Sequence, residues 1–359
     1  MTRVFVSDCE GPISKNDNAF EMTSHFVPSG DKIFRIISRY DDVLADLVKR
    51  PGYKAGDTLK LILPFLKAYD LTDQLMKEFA SENLVLIPCV KSALDHIRNL
   101  APAYIVSTSY EHYIEALCRV IDFPRRNTYC TRLRLDQYEL NEQEKIELKQ
   151  IGREIAEMPI FEIPREARRL EDLPAEAETS VRRLDDIFWK TIAKMEIGEI
   201  YEKIIPMGGA QKAEALKNIT QELETTVADL LYVGDSITDV EAFSLVKESG
   251  GLAISFNGNH YAVQNADISL MSSDGAVIAV ILQAFVRRGK KETLDIVANW
   301  NRKTLEDTLT DDLKEWFFKL HPNDLPKAKI VTKENMDILA KESSKFRKRI
   351  RGEDVGRLG

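Results

Sequence analysis

The chain is poor in cysteine and histidine, and it lacks a long hydrophobic run. Among 359 residues it has four cysteines, at positions 9, 89, 118 and 130, and five histidines. Because the cysteines form no CxxC pair and the histidines show no metal-ligand spacing, a disulfide framework and a zinc site are both disfavoured. The longest apolar stretch, near Ala276–Val286, is far shorter than the roughly 20 residues that a membrane-spanning helix needs.

An excess of positive charge is also lacking. The chain has 58 acidic and 50 basic residues, for a formal net charge of −8, so a globally basic nucleic-acid binder is disfavoured. Hydrophobic residues make up 44% and charged residues 30%, a balance typical of soluble globular proteins. Because the opening MTRVFVSDCEG has no secretory pattern, we expect a cytoplasmic protein. The length predicts about two domains, and the short apolar runs predict no membrane span.

Short apolar segments, each followed by polar residues, recur along the chain and predict a parallel sheet. Three of them end just before Asp8, Ser107 and Asp235, and helical patterns follow. Repetition of strand, polar loop and helix is typical of a three-layer α/β fold, in which the ligand site lies at the carboxyl ends of the strands. The predicted strands are Val4–Ser7, Ala103–Val106, Leu230–Val233, Leu252–Ser255 and Ile268–Leu270.

Two long stretches interrupt this rhythm, so the α/β core is expected to be discontinuous in sequence. Apolar positions at helical spacing, such as Leu59, Ile62 and Leu66, indicate that the first stretch is helical. We interpret it as a helical cap inserted after the first strand. The core is expected at residues 1–14, 100–123 and 205–285, and the cap at residues 15–99.

The second stretch and the C-terminal part are expected to lie outside this core. Residues 124–204 form a charged insertion, whose many acidic and basic side chains predict helices with broad solvated faces. Residues 286–359 are expected to form a helical extension. Its basic end, between Lys345 and Arg351, is expected to be a solvated terminus.

Four separated segments carry the residues that point to chemistry. They are VFVSDCEG with Asp8 and Glu10, YIVSTS with Ser107, GGAQKAEAL with Lys212, and LLYVGDSITDVEAF with Asp235 and Asp239. The first pair of carboxylates is spaced i and i+2 at a turn after a strand, which allows both to face one pocket. The last pair is separated by one helical turn.

These residue types suit phosphoryl transfer through a covalent aspartyl phosphate, in which a carboxylate nucleophile divides hydrolysis into two steps. Attack of an anion on an anionic phosphate is repulsive, and carboxylate oxygens suit Mg²⁺ as the compensating cation. We expect Lys212 to neutralise the nucleophile and a phosphate oxygen, and Ser107 to hold another oxygen. We expect Glu10 to protonate the leaving oxygen and then to activate the hydrolytic water.

In this order the four motifs resemble the haloacid dehalogenase (HAD) superfamily of aspartate-nucleophile phosphatases. The resemblance covers the predicted α/β core and not the insertions or the tail. It implies that Asp8 is the nucleophile and Glu10 the acid/base, with Ser107 as the hydroxyl of the second motif and Lys212 as the lysine of the third. It also implies a Mg²⁺ site at Asp8, Glu10, Asp235 and Asp239, to which Glu10 contributes its main-chain carbonyl.

Two narrower resemblances and two departures refine this hypothesis. The segment SFNGNHYAVQNADISL resembles the phosphoserine-phosphatase branch, in which a helical cap separates the first two motifs. The opening DCEGPISKNDNAFE is similar to archaeal proteins known as energy-converting hydrogenase A subunit R. Glu10 stands where the first motif usually has a second Asp, and Pro12, which lacks a main-chain N–H, stands where it usually has Thr or Val.

Four further residues are candidates for contact with substrate. Asp17 has the spacing from Asp8 at which the phosphoserine-phosphatase branch places an amine-recognising acid, although a solvated carboxylate is the alternative. Arg35 and Arg39 of the cap are candidates for binding a carboxylate or a phosphate, or belong to a solvated helix face. Thr108 is expected to contribute main-chain atoms more than its side chain.

The sequence therefore predicts a Mg²⁺-dependent phosphohydrolase that acts on a small phosphorylated metabolite. Two alternatives remain open. One is a phosphotransferase, and the other is an accessory or regulatory subunit of an archaeal energy-converting hydrogenase-type complex that keeps the fold with little turnover. Nucleic acid is disfavoured as a partner, whereas a protein partner and a homo-oligomer are left open.

Overall fold

The computed structural model describes residues 2–164, 166–356 and 358, so residue 1 of the predicted core, residue 165 of the predicted insertion and residues 357 and 359 of the predicted extension lie outside the described part. Its strands belong to a single sheet. They are β1 (Val4–Ser7), β2 (Ala103–Tyr110), β3 (Thr128–Thr131), β4 (Leu230–Gly234), β5 (Leu252–Phe256), β6 (Ile268–Met271) and β7 (Lys327–Ile330).

The order of the seven strands is β3-β2-β1-β4-β5-β6-β7, and all neighbours are parallel except β6 and β7. Chain order reverses between β1 and β4, where Phe5 pairs with Leu231. At such a switch point the connections leave the two strands in opposite directions and open a crevice at their carboxyl ends. Asp8 follows β1 and Asp235 follows β4, so both residues lie at that crevice.

Helices cover both faces of the sheet and build the cap. Among the described residues they are α1 (Asn18–Phe26), α2 (Gly30–Asp42), α3 (Thr58–Ala68), α4 (Asp73–Asn83), α5 (Val90–Leu100), α6 (Glu111–Ile121), α7 (Glu142–Glu157), α8 (Ala175–Asp186), α9 (Ile200–Lys203), α10 (Ala210–Glu222), α11 (Val240–Glu248), α12 (His260–Asn265), α13 (Ala276–Ala298), α14 (Arg302–Glu306), α15 (Asp311–Leu320), α16 (Met336–Arg351) and α17 (Glu353–Gly356). Short π-helical and 3₁₀ segments, including Val43–Val48 and Ile187–Thr191, join some of them.

Alternation along the central strands produces the three layers. On β1 the side chain of Phe5 points to one face of the sheet, whereas Val4 and Val6 point to the other. The first face is covered by α5, α6 and α13, and the second by α10 and α11. Because both faces are buried, the strands are nearly continuous apolar runs, which is why the sequence predicts them well. The predicted three-layer α/β fold is confirmed, and its strand order is Rossmann-like.

The cap and the second insertion share one apolar cluster. In it Phe188 of the insertion lies against Tyr40 and Phe65 of the cap, with ring centroids 5.6 and 6.3 Å away. Helices α2 and α3 of the cap also pack on α7 of the insertion. Helices from the predicted segments 15–99 and 124–204 therefore pack into one helical body over the crevice.

Three elements lie elsewhere than their predicted segments suggest. Strand β3 falls in the predicted insertion, and β7 falls in the predicted helical extension. Both are edge strands that pair on one side only, so they need no continuous apolar run and are difficult to recognise in the sequence. Helix α5 falls in the predicted cap segment but packs with α13 on the sheet.

The long helix α13 includes the apolar stretch noted in the sequence, and it changes direction at Gly289, where φ is 81°. In the described part of the chain, no helix combines the length and the apolar character needed to cross a bilayer.

A substitution at Phe188 tests whether the cap and the insertion share a core. Phe188 is fully buried, so Phe188→Ala removes its packing on both segments and should lower the free energy of unfolding by about 3–5 kcal/mol. Ile146→Ala, in the same insertion but 58% exposed, is the control and should change it by less than about 0.5 kcal/mol. Urea unfolding measures both values, and equal effects would contradict the shared core.

Candidate functional site

Asp8 is held at the switch point by its own strand end. Its main-chain N–H donates to Val233 O on the neighbouring strand (2.8 Å), and its Oδ1 accepts from Cys9 N–H (2.7 Å). The turn that follows passes close to β4 because residue 11 is glycine. Gly11 has φ of +107°, and a Cβ there would lie 2.1 Å from Asp235 Oδ2. The two carboxylates are thus brought together by a turn that a side chain at residue 11 would block.

Lys212 is the cation that links the first and fourth motifs. It lies in the first turn of α10 and is fully buried. Its Nζ lies 2.7 Å from Asp8 Oδ2 and 2.7 Å from Asp239 Oδ1. The two carboxylates raise the pKa of Lys212 above its usual range despite burial, so the side chain is charged in the folded protein.

Asp239 is engaged by four donors. Its Oδ1 accepts from Lys212 and from Tyr232 OH (2.6 Å), and its Oδ2 accepts from Asp235 N–H (2.9 Å) and Ser236 N–H (3.0 Å). These contacts lower the pKa of Asp239 in spite of its burial. The side chain therefore orients Lys212 and shapes the turn after β4, and its predicted role as a metal ligand stays a prediction.

Glu10 and Asp17 form a second carboxyl pair at the edge of the cavity. Glu10 Oε1 accepts from Asn18 N–H (2.7 Å), while Asp17 caps α1 by accepting from Phe20 N–H (3.0 Å). Removal from water, and then the neighbouring charge of Asp17, raise the pKa of Glu10 well above its usual range. A carboxyl group in this state keeps its proton to higher pH and is able to donate it.

Two arginines from the C-terminal helix α16 complete the site, and the sequence analysis missed both. Arg347 is 3% exposed, and its Nη1 forms an ion pair with Asp235 Oδ2. Arg351 Nη1 lies 3.0 Å from the same oxygen, and the arginine's exposed side-chain fraction is 4%. The expectation of a solvated basic terminus is therefore wrong for these two residues. The available signal was the spacing of four that places Ser343, Arg347 and Arg351 on one face of the helix.

The cavity between the core and the helical body is small and strongly acidic. It measures about 100 Å³. The residues that line it are Asp8, Glu10, Asp17, Phe34, Ser38, Asp41, Asp42, Gly56, Thr58, Leu59, Thr108, Asp235, Ser236, Ile237, Thr238, Arg347, Arg351 and Leu358. The cap closes over the core loops at Gly56, where a Cβ would lie 3.1 Å from Thr108. A ligand in this space is thus surrounded by core, cap and C-terminal residues.

The other predicted residues lie around the cavity or beside it. Ser107 is buried, and its hydroxyl donates to Ser109 Oγ (3.1 Å) at the end of β2. Thr108 lines the cavity, with its hydroxyl donating to Met207 O (3.2 Å). Arg35 pairs with Asp354 (2.6 Å) and Arg39 with Asp42 (2.9 Å), and neither is among the described residues that line the cavity.

The charges of the site fit a divalent cation. One carboxylate oxygen from each of Asp8, Asp235 and Asp239 lies within 4.8 Å of the others, and oxygen ligands suit Mg²⁺. Glu10 and Asp17 line the same cavity, so the carboxyl groups of the site outnumber the three cationic side chains that pair with them. Burial, with the charges of Asp239 and Asp235, raises the pKa of Asp8 to about 7. A bound cation would favour the ionised form of Asp8.

Comparison with known proteins identifies similar folds. No protein-family model and no curated protein matches the chain. The gene product AF1437 from Archaeoglobus fulgidus is similar over 100% of this chain and 99% of its own, with 26% sequence identity and a TM-score of 0.79. A substrate-bound phosphoserine phosphatase complex aligns with 81% of this chain and 99% of its own at 13% identity and a TM-score of 0.45. The chain has an α/β, Rossmann-like fold similar to that of AF1437.

Replacement of Lys212 tests the buried ion pairs. Lys212→Met leaves Asp8 and Asp239 without their shared cation, and we expect the free energy of unfolding to fall by about 3–5 kcal/mol. Lys217→Met removes an exposed lysine from the same helix and should change it by less than about 0.5 kcal/mol. Denaturant titration at neutral pH measures both variants, and a Lys212→Met protein as stable as the control would contradict the account.

The cap residue Asp41 makes the stability of the protein depend on pH. Burial, then the charge of Asp42, raises the pKa of Asp41 to about 7 from an ordinary value of 3.8. Between these two values the folded protein keeps a proton that the unfolded chain has lost, so this group lowers stability as pH rises.

Asp41→Asn cannot ionise, and its side-chain oxygen can still accept from Gly56 N–H. We expect the variant to gain stability relative to wild type as pH rises from 5 to 8, by about 1–4 kcal/mol. Thermal unfolding across this pH range measures the gain. Asp31→Asn, an exposed position on the same helix, is the control. A gain that shrinks with pH would refute the assignment.

Proposed function

We propose that the chain is a phosphohydrolase that acts on a small phosphorylated metabolite through an aspartyl phosphate on Asp8. The observation that carries the proposal is the placement of the Asp8 carboxylate. It lies at the switch point of the sheet, between Lys212 and a main-chain N–H, in a cavity that it shares with Glu10. A nucleophile, a fixed cation and a proton donor are the groups that the reaction needs.

In the first step a carboxylate oxygen of Asp8 attacks the phosphorus atom of the substrate. The bond from phosphorus to the ester oxygen breaks, and its electron pair stays on the leaving oxygen. Glu10 donates its proton to that oxygen, a role that suits a carboxyl group whose pKa burial has raised. Lys212, 2.7 Å from Asp8 Oδ2, offsets the negative charge that collects during the attack.

In the second step water hydrolyses the aspartyl phosphate. The oxygen of the water molecule attacks phosphorus, and Glu10, now ionised, accepts a proton from that water. The bond between phosphorus and the Asp8 oxygen breaks, which releases inorganic phosphate and regenerates the carboxylate. Cap residues line the cavity together with core residues, and this would limit the access of bulk water to the intermediate.

The expected cofactor is Mg²⁺, held by carboxylate oxygens of Asp8 and Asp235. Bound there, it would neutralise the charge of the nucleophile and of the phosphoryl oxygens. Asp239 contributes by fixing the turn that carries Asp235, through its two main-chain hydrogen bonds. The cavity of about 100 Å³ suits a small phosphate ester rather than a phosphorylated protein.

A second candidate function is an accessory or regulatory subunit that keeps the fold with little turnover. This candidate is favoured by the ion pairs that Arg347 and Arg351 form with Asp235. They occupy a carboxylate that phosphoryl transfer would need as a ligand for Mg²⁺. Stable co-purification with other proteins, together with no turnover on a broad panel of phosphate esters, would support this candidate and exclude the first.

The first candidate makes a direct kinetic prediction. With an aryl phosphate and Mg²⁺, Asp8→Asn should lower kcat by about 10³-fold or more, as expected when a nucleophile is lost. Glu10→Gln keeps the acceptor for Asn18 N–H but carries no acidic proton, and it should lower kcat by about 10²–10⁴-fold. Steady-state phosphate release measures both rates.

Asp31→Asn, on the exposed face of the cap helix α2, is the matched control and should keep wild-type activity. Activity that survives Asp8→Asn would refute the mechanism, and the absence of wild-type turnover on the whole panel would refute the proposed activity.

A further inference from the structure

Helix α16 is anchored to the core by its first half. Leu339 and Ala340 pack on Val263 and Met271, which belong to α12 and β6. One turn later the buried Ser343 donates its hydroxyl proton to Gly258 O (2.7 Å). The helix therefore approaches the crevice with a fixed rotation, and this rotation directs the side chains at positions 347 and 351 towards Asp235.

The second half of the helix holds the carboxylate that the proposed metal site needs. Arg347 contacts both the side chain and the main-chain oxygen of Asp235. Arg351 contacts the same carboxylate oxygen and donates from Nε to Lys15 O (2.9 Å) and from Nη2 to Asn16 O. One face of the helix thus joins the end of β4 to the loop that begins the cap.

The residues after α16 continue across the cavity to the helical body. Val355 and Leu358 pack in the apolar cluster of the cap, and Asp354 pairs with Arg35 of α2 (2.6 Å). Leu358 also lines the cavity, and its main-chain oxygen accepts from Arg347 Nη2 (3.4 Å). We call residues 336–358, in their described part, the C-terminal strap. It connects core and cap across the candidate site.

The arginines of the strap and a divalent cation need the same carboxylate. Asp235 Oδ2 accepts from two guanidinium groups at once, and Gly11 packs against that oxygen from the other side. A cation that approaches Asp235 meets two fixed positive charges in a poorly hydrated space, where like-charge repulsion is strong. The docked strap is also imperfect, because Arg347 Nε is buried without a hydrogen-bond partner among the described residues.

We propose that the C-terminal strap is an internal inhibitor whose two arginines compete with a divalent cation for Asp235. Docking of the strap and binding of the cation are then antagonistic. By linkage, each weakens the other by the same factor. With the strap docked, Asp235 is neutralised and the cation is kept out. With the cation bound, the arginines lose their main partner and the end of α16 is released. The inference rests on the proposed metal site, and not on turnover.

The test measures binding of Mg²⁺ alone and the protection of the strap. Calorimetric titration gives the Kd of Mg²⁺ for wild type, Arg347→Met and Arg349→Met. Arg349 is exposed on the same helix, so its substitution removes an equal charge without touching Asp235. We expect Arg347→Met to bind Mg²⁺ about 10-fold more tightly than wild type, within the range usual for coupled sites. Arg349→Met should stay within about twofold, since an exposed charge is largely screened.

Hydrogen exchange on the wild-type protein provides a second readout that does not depend on any substitution. Saturating Mg²⁺ should increase amide exchange in residues 347–356, whereas α6, which packs on the sheet beside β2 and β3, should be unchanged. Unchanged or slower exchange in the strap together with equal affinities of Arg347→Met and wild type would overturn the proposal. So would failure of both proteins to bind Mg²⁺. If Mg²⁺ binds and releases the strap but no phosphate ester is hydrolysed, the inference stands and the proposed activity falls.

Discussion

The structure depends on how like charges are kept together away from water. Asp8, Asp235 and Asp239 are brought within 4.8 Å of one another at the ends of two neighbouring strands, and all three are buried. Buried carboxylates are strongly unfavourable unless cations and hydrogen-bond donors compensate them. Lys212 from α10 and two arginines from α16 supply the cations, while main-chain N–H groups complete Asp239. Helices from distant parts of the sequence are thereby connected to the carboxyl ends of the central strands.

Neutralisation of the buried carboxylates connects the proposed chemistry with the proposed inhibition by the C-terminal strap. The carboxyl groups of the site outnumber its three cationic side chains, and a divalent ion would offset the negative charge of those that ionise. Asp8 with a pKa of about 7 is only partly ionised near neutrality, so a cation beside it would also produce more of the nucleophilic form. An arginine on Asp235 answers the same electrostatic need without helping the reaction. The site therefore has two ways to neutralise one carboxylate, and only one of them is compatible with phosphoryl transfer.

The sequence reveals the part of this arrangement that is encoded locally. The buried strands are apolar runs, and Asp8, Lys212 and Asp235 stand at strand ends or helix starts where parallel topology brings them together, so fold class and the centre of the site are predictable. The edge strands β3 and β7 lack that pattern. The contact between Arg347 and Asp235 joins residues 112 positions apart, and a helix that carries arginines every four residues is usually solvated. The packing of Leu339 and Ala340 on α12 and β6, together with the Ser343 hydrogen bond to Gly258, determines which face of α16 is buried.

The central claim is that Asp8 carries the phosphoryl group during turnover. Its most direct test is reduction with borohydride while the protein turns over a phosphate ester with Mg²⁺, followed by mass spectrometry of the peptide that contains residue 8. Borohydride converts an acyl phosphate to an alcohol, so the account predicts that homoserine replaces aspartate at position 8. No homoserine should form there when the phosphate ester is omitted. Release of phosphate with an unmodified Asp8, or modification at another carboxylate, would contradict the account.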